Sequence, residues 1–351
     1  TRSLAPQADD PDSLQLALPP TVTRTFRRMS FTSITAMRGY GRHRVFEPEH
    51  SGYDEPQITG SLALPALPET PTEQHDVVDL PAGIMVGRVV HEIFEHVDTR
   101  QRPLTDEVRR VVTERATSGR LRSAHDSLVT VVSETLATPL GGPFGKLSLG
   151  DIPPVDRLAE LTFEMGLTSL TAGVRARAIG ELLRQVLPET DLLYDYAGQL
   201  ANPAFDVPVG GLLTGSIDGL LRLPESTPDR PRLLITDYKS NKLHTTGMND
   251  PLRAYHPDRL TAAMAEHHYP LQALLYGTAV YRLLRWRLPE ADPDDCIAGV
   301  AYAFIRGMKG PNTPTAEQGR RYGVFVWQAP PGLWQQLSDL LVTPQPAGVG
   351  A

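Results

Sequence analysis

The chain has 351 residues, long for one domain and short for three, and 40% of them are hydrophobic, an ordinary share for a protein with a sizeable core. It contains no run of about 18 apolar residues, which excludes a membrane-spanning helix. Its single cysteine, Cys296, excludes an internal disulfide, a four-thiolate zinc site and an iron–sulfur cluster held by this chain alone, and fits a reducing cytoplasm. The net charge of −7 has the wrong sign for a protein that grips nucleic acid over a broad surface. The densest local basic patch is "RTFRRM" at 24–29. Either the chain holds no nucleic acid tightly by itself, or another polypeptide supplies the basic surface. Acidic residues gathered about a divalent cation would also contribute to this sign.

Residues 1–28 read as a flexible linker, rich in Pro and Asp at the start. They lack both an initiator Met and a signal pattern, so the chain reads as a piece of something longer. "MSFTSITAMRGY" at 29–40 reads as a short ordered lead-in, and the Pro- and Gly-rich chain on to about residue 80 reads as a long loop. A helix is expected over 82–98, where Met85, Val89, Ile93 and Val97 recur at helical spacing. Helical patterns continue over 104–117 and 122–137. A strand is expected over 157–167, with Leu161 and Phe163 alternating with polar neighbours, and a helix over 172–187. Two strand-like runs, 211–223 and 232–240, flank the turn-rich "PESTPDRP" and predict an antiparallel hairpin. Helices over 258–267 and 270–287, a strand over 297–305 and a helix near 331–342 follow. This order predicts an α/β core in one domain over 81–345, a mixed central sheet flanked by helices, with 346–351 as a tail.

Two motif-like stretches carry no function. "GGPFGKLS" at 141–148 approximates a phosphate-binding P-loop, but Leu140 stands where the first Gly belongs and Leu147 where the hydroxyl should follow Lys146. An ATP site is therefore not expected here. "HEIFEH" at 91–96 approximates a zinc-protease motif, but its histidines are five apart, about 140° around a helix, and cannot grip one ion.

"LLITDYKSNKL" at 233–243 is more informative. Residues i and i+2 of a strand share a face, so Asp237 and Lys239 point one way and Tyr238 the other. A charge pair at a strand end is an ordinary surface feature on its own. Asp218 of "GSIDGLL" lies on the partner run of the hairpin, however, and two carboxylates ending adjacent apolar strands repel unless a divalent cation lies between them. Gly87, His91 and Glu95 share one helix face, and Gln272 and Tyr276 share another on an otherwise apolar helix. Each of these has a bland reading as a boundary residue with a satisfied polar tip.

In chain order, "GRVVHEIFE", "AELTF", "GSIDG", "ITDYKSN", "YPLQALLY" and "GVAYAFIRGM" resemble the C-terminal nuclease domain of RecB-type (exodeoxyribonuclease V beta) helicase–nuclease subunits, a branch of the PD-(D/E)XK superfamily. The likeness covers about residues 80–310, and "SFTSI" at 30–34 resembles the lead-in of that domain. One departure is Ile217, where the superfamily pattern has a proline before the first Asp.

The resemblance implies a PD-(D/E)XK restriction-endonuclease-like core and a Mg²⁺-dependent exonuclease, with Mn²⁺ as a substitute ion. It implies His91, Asp218 and Asp237 as metal ligands, helped by the backbone carbonyl of Tyr238. Asp218, Asp237, Lys239 and Glu160 would be catalytic, with Lys239 acting on the attacking water and the phosphate. Gln272 and Tyr276 would support the site or contact DNA, and Ser240 and Asn241 extend the strand motif. The implied partners are single-stranded DNA, the helicase part of the parent chain, RecC- and RecD-like subunits and a RecA-type recombinase. The implied setting is double-strand-break repair and recombination in the cytoplasm. A nuclease tethered at a strand exit works at high effective concentration and needs little affinity of its own, which fits −7. The alternative is a catalytically silent nuclease fold used as a scaffold or docking module.

Overall fold

A computed structural model describes residues 28–36, 77–168, 174–244 and 249–342. Most of the expected linker, the long loop up to residue 76 and the 346–351 tail lie outside these residues. In chain order the elements are β1 (Arg28–Met29), α1 (Phe31–Ala36), α2 (Ile84–His96), α3 (Leu104–Arg115), α4 (Gly119–Arg122) and α5 (His125–Ala137). Then come β2 (Arg157–Gly166), β3 (Val174–Arg175), α6 (Ala176–Val186), α7 (Tyr194–Leu200), β4 (Pro208–Val209), β5 (Leu212–Arg222) and β6 (Leu233–Lys239). The last are α8 (Pro257–Glu266), α9 (Tyr269–Arg287), α10 (Pro293–Cys296), β7 (Ile297–Phe304), β8 (Val324–Trp327) and α11 (Leu333–Val342).

The main sheet has the order β1-β5-β6-β7-β8, with β2 also on β5. It is mixed, as expected. β5 and β6 form the predicted antiparallel hairpin, while β6 and β7 run parallel. A parallel pair needs a long crossover, and α8 and α9 supply it. Every residue of β7 is buried, because a central strand covered on both faces must be apolar throughout. One face of the sheet packs on α2, α3 and α5 through Val90, Ile93, Val112 and Val132. The other packs on α1, α6–α9 and α11 through Ile34, Ile179, Leu274 and Trp334. Apolar transfer at about 25 cal/mol per Å² makes these two cores the main stabilising term. α9 is buried along most of its length, which is why its apolar residues show little one-sidedness.

Three local expectations change. Met85 does not belong to the buried stripe of α2; it is 58% exposed, and Val86 and Val90 fill the core instead. The helix expected from 172 begins at Ala176, because Val174–Arg175 pairs with Pro208–Val209 as a small separate sheet. Strand β8 was not expected at all, and it closes the main sheet beside β7.

The hairpin parts where the site is built. β5 pairs with β6 only from Gly219 to Arg222, and with β1 only at Leu212 and Leu213. β2 occupies the opposite edge of β5. Residues 214–218 are thus left without a strand on one edge among the described residues. Strand alternation breaks there too, since Ile217 and Leu220, three apart, both enter the same core. Gly219 is required at this point, because a Cβ there would lie 2.3 Å from the Thr236 Oγ1.

Candidate metal centre

Asp218 sits where β5 leaves β6, and its carboxylate takes over from the ladder. Its Oδ2 accepts the backbone N–H of Tyr238 at 2.9 Å and lies 3.2 Å from His91 Nδ1. His91 projects from α2, which is anchored by Val90, Ile93 and Phe94 in the core. The Tyr238 ring stacks on Phe94 at 4.0 Å and meets His91 edge-on at 6.1 Å, so the strand and the helix are locked together beside the site.

Glu160 completes this group from β2. The ladder steps from Ala159–Gly219 to Leu161–Ile217, leaving Glu160 opposite Asp218 with a left-handed φ of 49°. Such a backbone is uncommon for a residue with a side chain, and strain of this kind clusters at functional sites. Ser216 Oγ donates to Glu160 Oε2 at 2.9 Å. One ligand atom each from His91, Glu160 and Asp218 lies within 4.8 Å of the others, a spacing that can hold a metal ion. The donor set is one imidazole and two carboxylates, which suits a hard or borderline divalent cation.

Asp237 and Lys239 lie beside this trio on the α9 side of β6, sharing a face as period two requires. Lys239 Nζ is 2.7 Å from Asp237 Oδ2, and both residues are 2% exposed. The ammonium also lies over the Tyr269 ring at 4.0 Å and 5.6 Å from that of Tyr302. Burial, and next the charge of Asp218, push the Asp237 carboxyl up to about 7, against the pull of Lys239. Burial, then Asp218, likewise raise Glu160. Carboxylates crowded in a dry site this way fit a counter-cation among them.

Gln272 and Tyr276 are both buried. Gln272 Nε2 donates to Tyr276 Oη at 3.1 Å, and its Oε1 accepts from Tyr302 Oη at 3.2 Å. Asn241 Oδ1 accepts from Tyr269 Oη at 3.1 Å. These polar groups form a floor beneath Lys239. Ser240 is buried, and its carbonyl accepts from Arg306 Nε at 2.7 Å.

Three residues of this region stand in the resemblance motifs without a role of their own: Tyr269, Tyr302 and Arg306. Arg306 is the most consequential. It is 2% exposed and also donates to the carbonyls of Leu80 and Pro81, so it ties the chain entering α2 to the end of β6. A guanidinium one residue beyond a fully apolar strand, after Ile305, was the available signal. The polar residues of the two motif-like stretches make local contacts. In "HEIFEH", His96 is exposed and bonds the Glu92 carbonyl, away from His91. In "GGPFGKLS", Ser148 caps a short turn with Asp151 rather than opening an α-helix.

No protein-family model matches the chain. Among curated proteins it is 35% identical over 333 residues to RecBCD enzyme subunit RecB of Mycobacterium tuberculosis, an alignment that covers 91% of this chain and 29% of the relative. It is 38% identical over 287 residues to the same subunit of Mycolicibacterium smegmatis, 77% of this chain and 25% of the relative. To the subunit of Escherichia coli it is 28% identical over 230 residues, 65% of this chain and 17% of the relative. The chain thus spans less than a third of the length of these relatives. With a mixed sheet, flanking helices and an acidic cluster at parted strand ends, the chain belongs to the RecB family, as a segment with the PD-(D/E)XK-like nuclease fold.

Proposed function

We propose that this chain is a Mg²⁺-dependent deoxyribonuclease domain of the exonuclease type, with Mn²⁺ able to substitute. The observation that carries the reading is the convergence of His91, Glu160 and Asp218 beside a buried Asp237–Lys239 pair. His91, Glu160 and Asp218 would hold the ion, with Asp237 and the carbonyl of Tyr238 beside it. A divalent cation there supplies an activated water and a counter-charge for the phosphate. The chain's own contribution is positioning. Asp237 and the Tyr269 ring fix the Lys239 ammonium where charge develops on the phosphorus oxygens. Gln272, Tyr276 and Tyr302 keep that floor rigid, and Arg306 keeps the His91 helix and the Lys239 strand in register.

The substrate in this reading is single-stranded DNA delivered by a helicase part of a longer chain, with RecC- and RecD-like subunits and a RecA-type recombinase as partners. The setting is double-strand-break repair in the cytoplasm; among the described residues no helix is long and apolar enough to cross a membrane. Asp237→Ala tests the assignment. Cleavage of a single-stranded oligonucleotide in Mg²⁺ should fall at least a hundredfold while the circular dichroism spectrum is kept. Undiminished cleavage would sink it, and a wild-type chain that neither cleaves nor binds Mn²⁺ would favour a silent scaffold.

A further inference from the structure

A second charged cluster lies at the site end of the sheet. Lys239 pairs with Phe304 in register, and Ala303 pairs with Val324, so the ends of β6 and β7 and the start of β8 share one edge. The turn at Pro251–Tyr255 is bolted to the residues that follow Lys239. Tyr255 Oη donates to the Asn241 carbonyl at 3.2 Å and accepts the Leu243 N–H at 3.2 Å, and the Tyr255 carbonyl accepts from Gly323 at 2.9 Å. This turn, the first turn of α8 and the chain before β8 bring together Arg253, Arg259, Arg320 and Arg321.

The geometry is that of one cluster. The His256 and Tyr322 rings meet edge-on at 5.0 Å, and Arg320 Nη1 lies 2.9 Å from Asp258 Oδ1. Burial first, then Arg320, Arg259 and Arg253 acting against Asp258, hold the His256 imidazole low. Arg259 is itself lowered by burial and then by Arg253, so these guanidinium groups repel one another. Four guanidinium groups stand here against the carboxylates of Asp250 and Asp258, a local excess of positive charge in a chain of net charge −7. Beside it is a recess of about 250 Å³ lined by Thr261, Gln318, Arg320, Arg321, Phe325 and Leu140, among others. Arg321 Nη1 donates to the Thr313 carbonyl at 2.9 Å, but its buried Nε has no acceptor among the described residues.

We propose that this arginine corner is a landing site for single-stranded DNA, with phosphates on Arg253, Arg259 and Arg320 and one unstacked base in the recess beside Arg321. It rests on the nuclease reading for its purpose, as the place where the strand is held a few nucleotides from the cut. β8 is two strand spacings from β6, roughly 10 Å, which a short stretch of extended strand spans. The Arg320–Asp258 pair does not oppose this, because a partly exposed ion pair is worth at most about 1 kcal/mol. The recess selects a single strand, since a base must leave its stack to enter.

The test uses the whole chain with a fluorescent single-stranded 20-mer in EDTA, so binding is read without cleavage. R253Q/R259Q should weaken binding at least tenfold at low salt. It should also flatten the slope of log affinity against log salt by about 1.4, from about 0.7 per phosphate contact on a single strand. T261W, which fills the recess, should weaken single-strand binding with the melting temperature kept. Hydrolysis of a small diester such as bis(p-nitrophenyl) phosphate in Mn²⁺, which does not reach the corner, should be unchanged in both variants. An unchanged salt slope in R253Q/R259Q, or an equal loss on the small diester, would overturn the proposal. Absent cleavage in the wild type with these binding results intact would instead count against the nuclease reading alone.

Discussion

At the scale of single residues, the chemistry turns on Asp237. Its carboxyl titrates near 7 in the folded chain, against an ordinary value of 3.8, because burial and Asp218 disfavour its charge more than Lys239 favours it. Between those values the folded state holds a proton that the unfolded state has released. Stability without metal therefore falls as pH rises through that window. Thermal melts in EDTA between about pH 5 and 7 should show this fall in the wild type and a shallower one in Asp237→Asn; equal slopes would contradict the burial of this group. Arg306 makes a separate prediction. Arg306→Met strands the Ser240, Leu80 and Pro81 carbonyls and should cost roughly 3 kcal/mol or more, read from the urea midpoint. Asp237 and Lys239 were legible in the sequence because strand period alone aims them together. The roles of Tyr269, Tyr302 and Arg306 were not, because they depend on partners 28 or more residues away: Asn241 for Tyr269, Gln272 for Tyr302 and Ser240 for Arg306.

At the scale of elements, the site is a consequence of a hairpin that pairs for only four residues, Gly219–Arg222 against Leu233–Thr236, and then opens. Gly219 guards that point. Gly219→Ala places a Cβ against Thr236 Oγ1 and should destabilise by about 1–3 kcal/mol, with Thr236→Ala restoring part of the loss in a double-mutant cycle. Full additivity of the two would place the strain elsewhere. The long helices and the paired strands were readable because apolar spacing is a local signal. β8 was missed although Val324–Trp327 are all β-branched or aromatic, because so short a run after a turn-rich stretch is a weak signal by itself. Leu161 and Phe163 marked β2 correctly, but nothing in "AELTF" announces the left-handed backbone at Glu160 that turns it toward the metal group.

At the scale of the whole molecule, residues from three distant parts of the chain meet at one point because α2, β2 and β5 pack around the same end of one sheet. The resemblance motifs named these residues; the packing of the elements groups Glu160 with His91 and Asp218 and turns Asp237 to Lys239. A net charge of −7 is an average over the whole surface and does not exclude local excesses of positive charge such as the arginine corner. If His91, Glu160 and Asp218 form a metal centre, calorimetric titration of Mn²⁺ into the wild type should show saturable binding, at least tenfold weaker in Asp218→Asn. Equal affinity in the two proteins, or no binding by the wild type, would contradict this assignment.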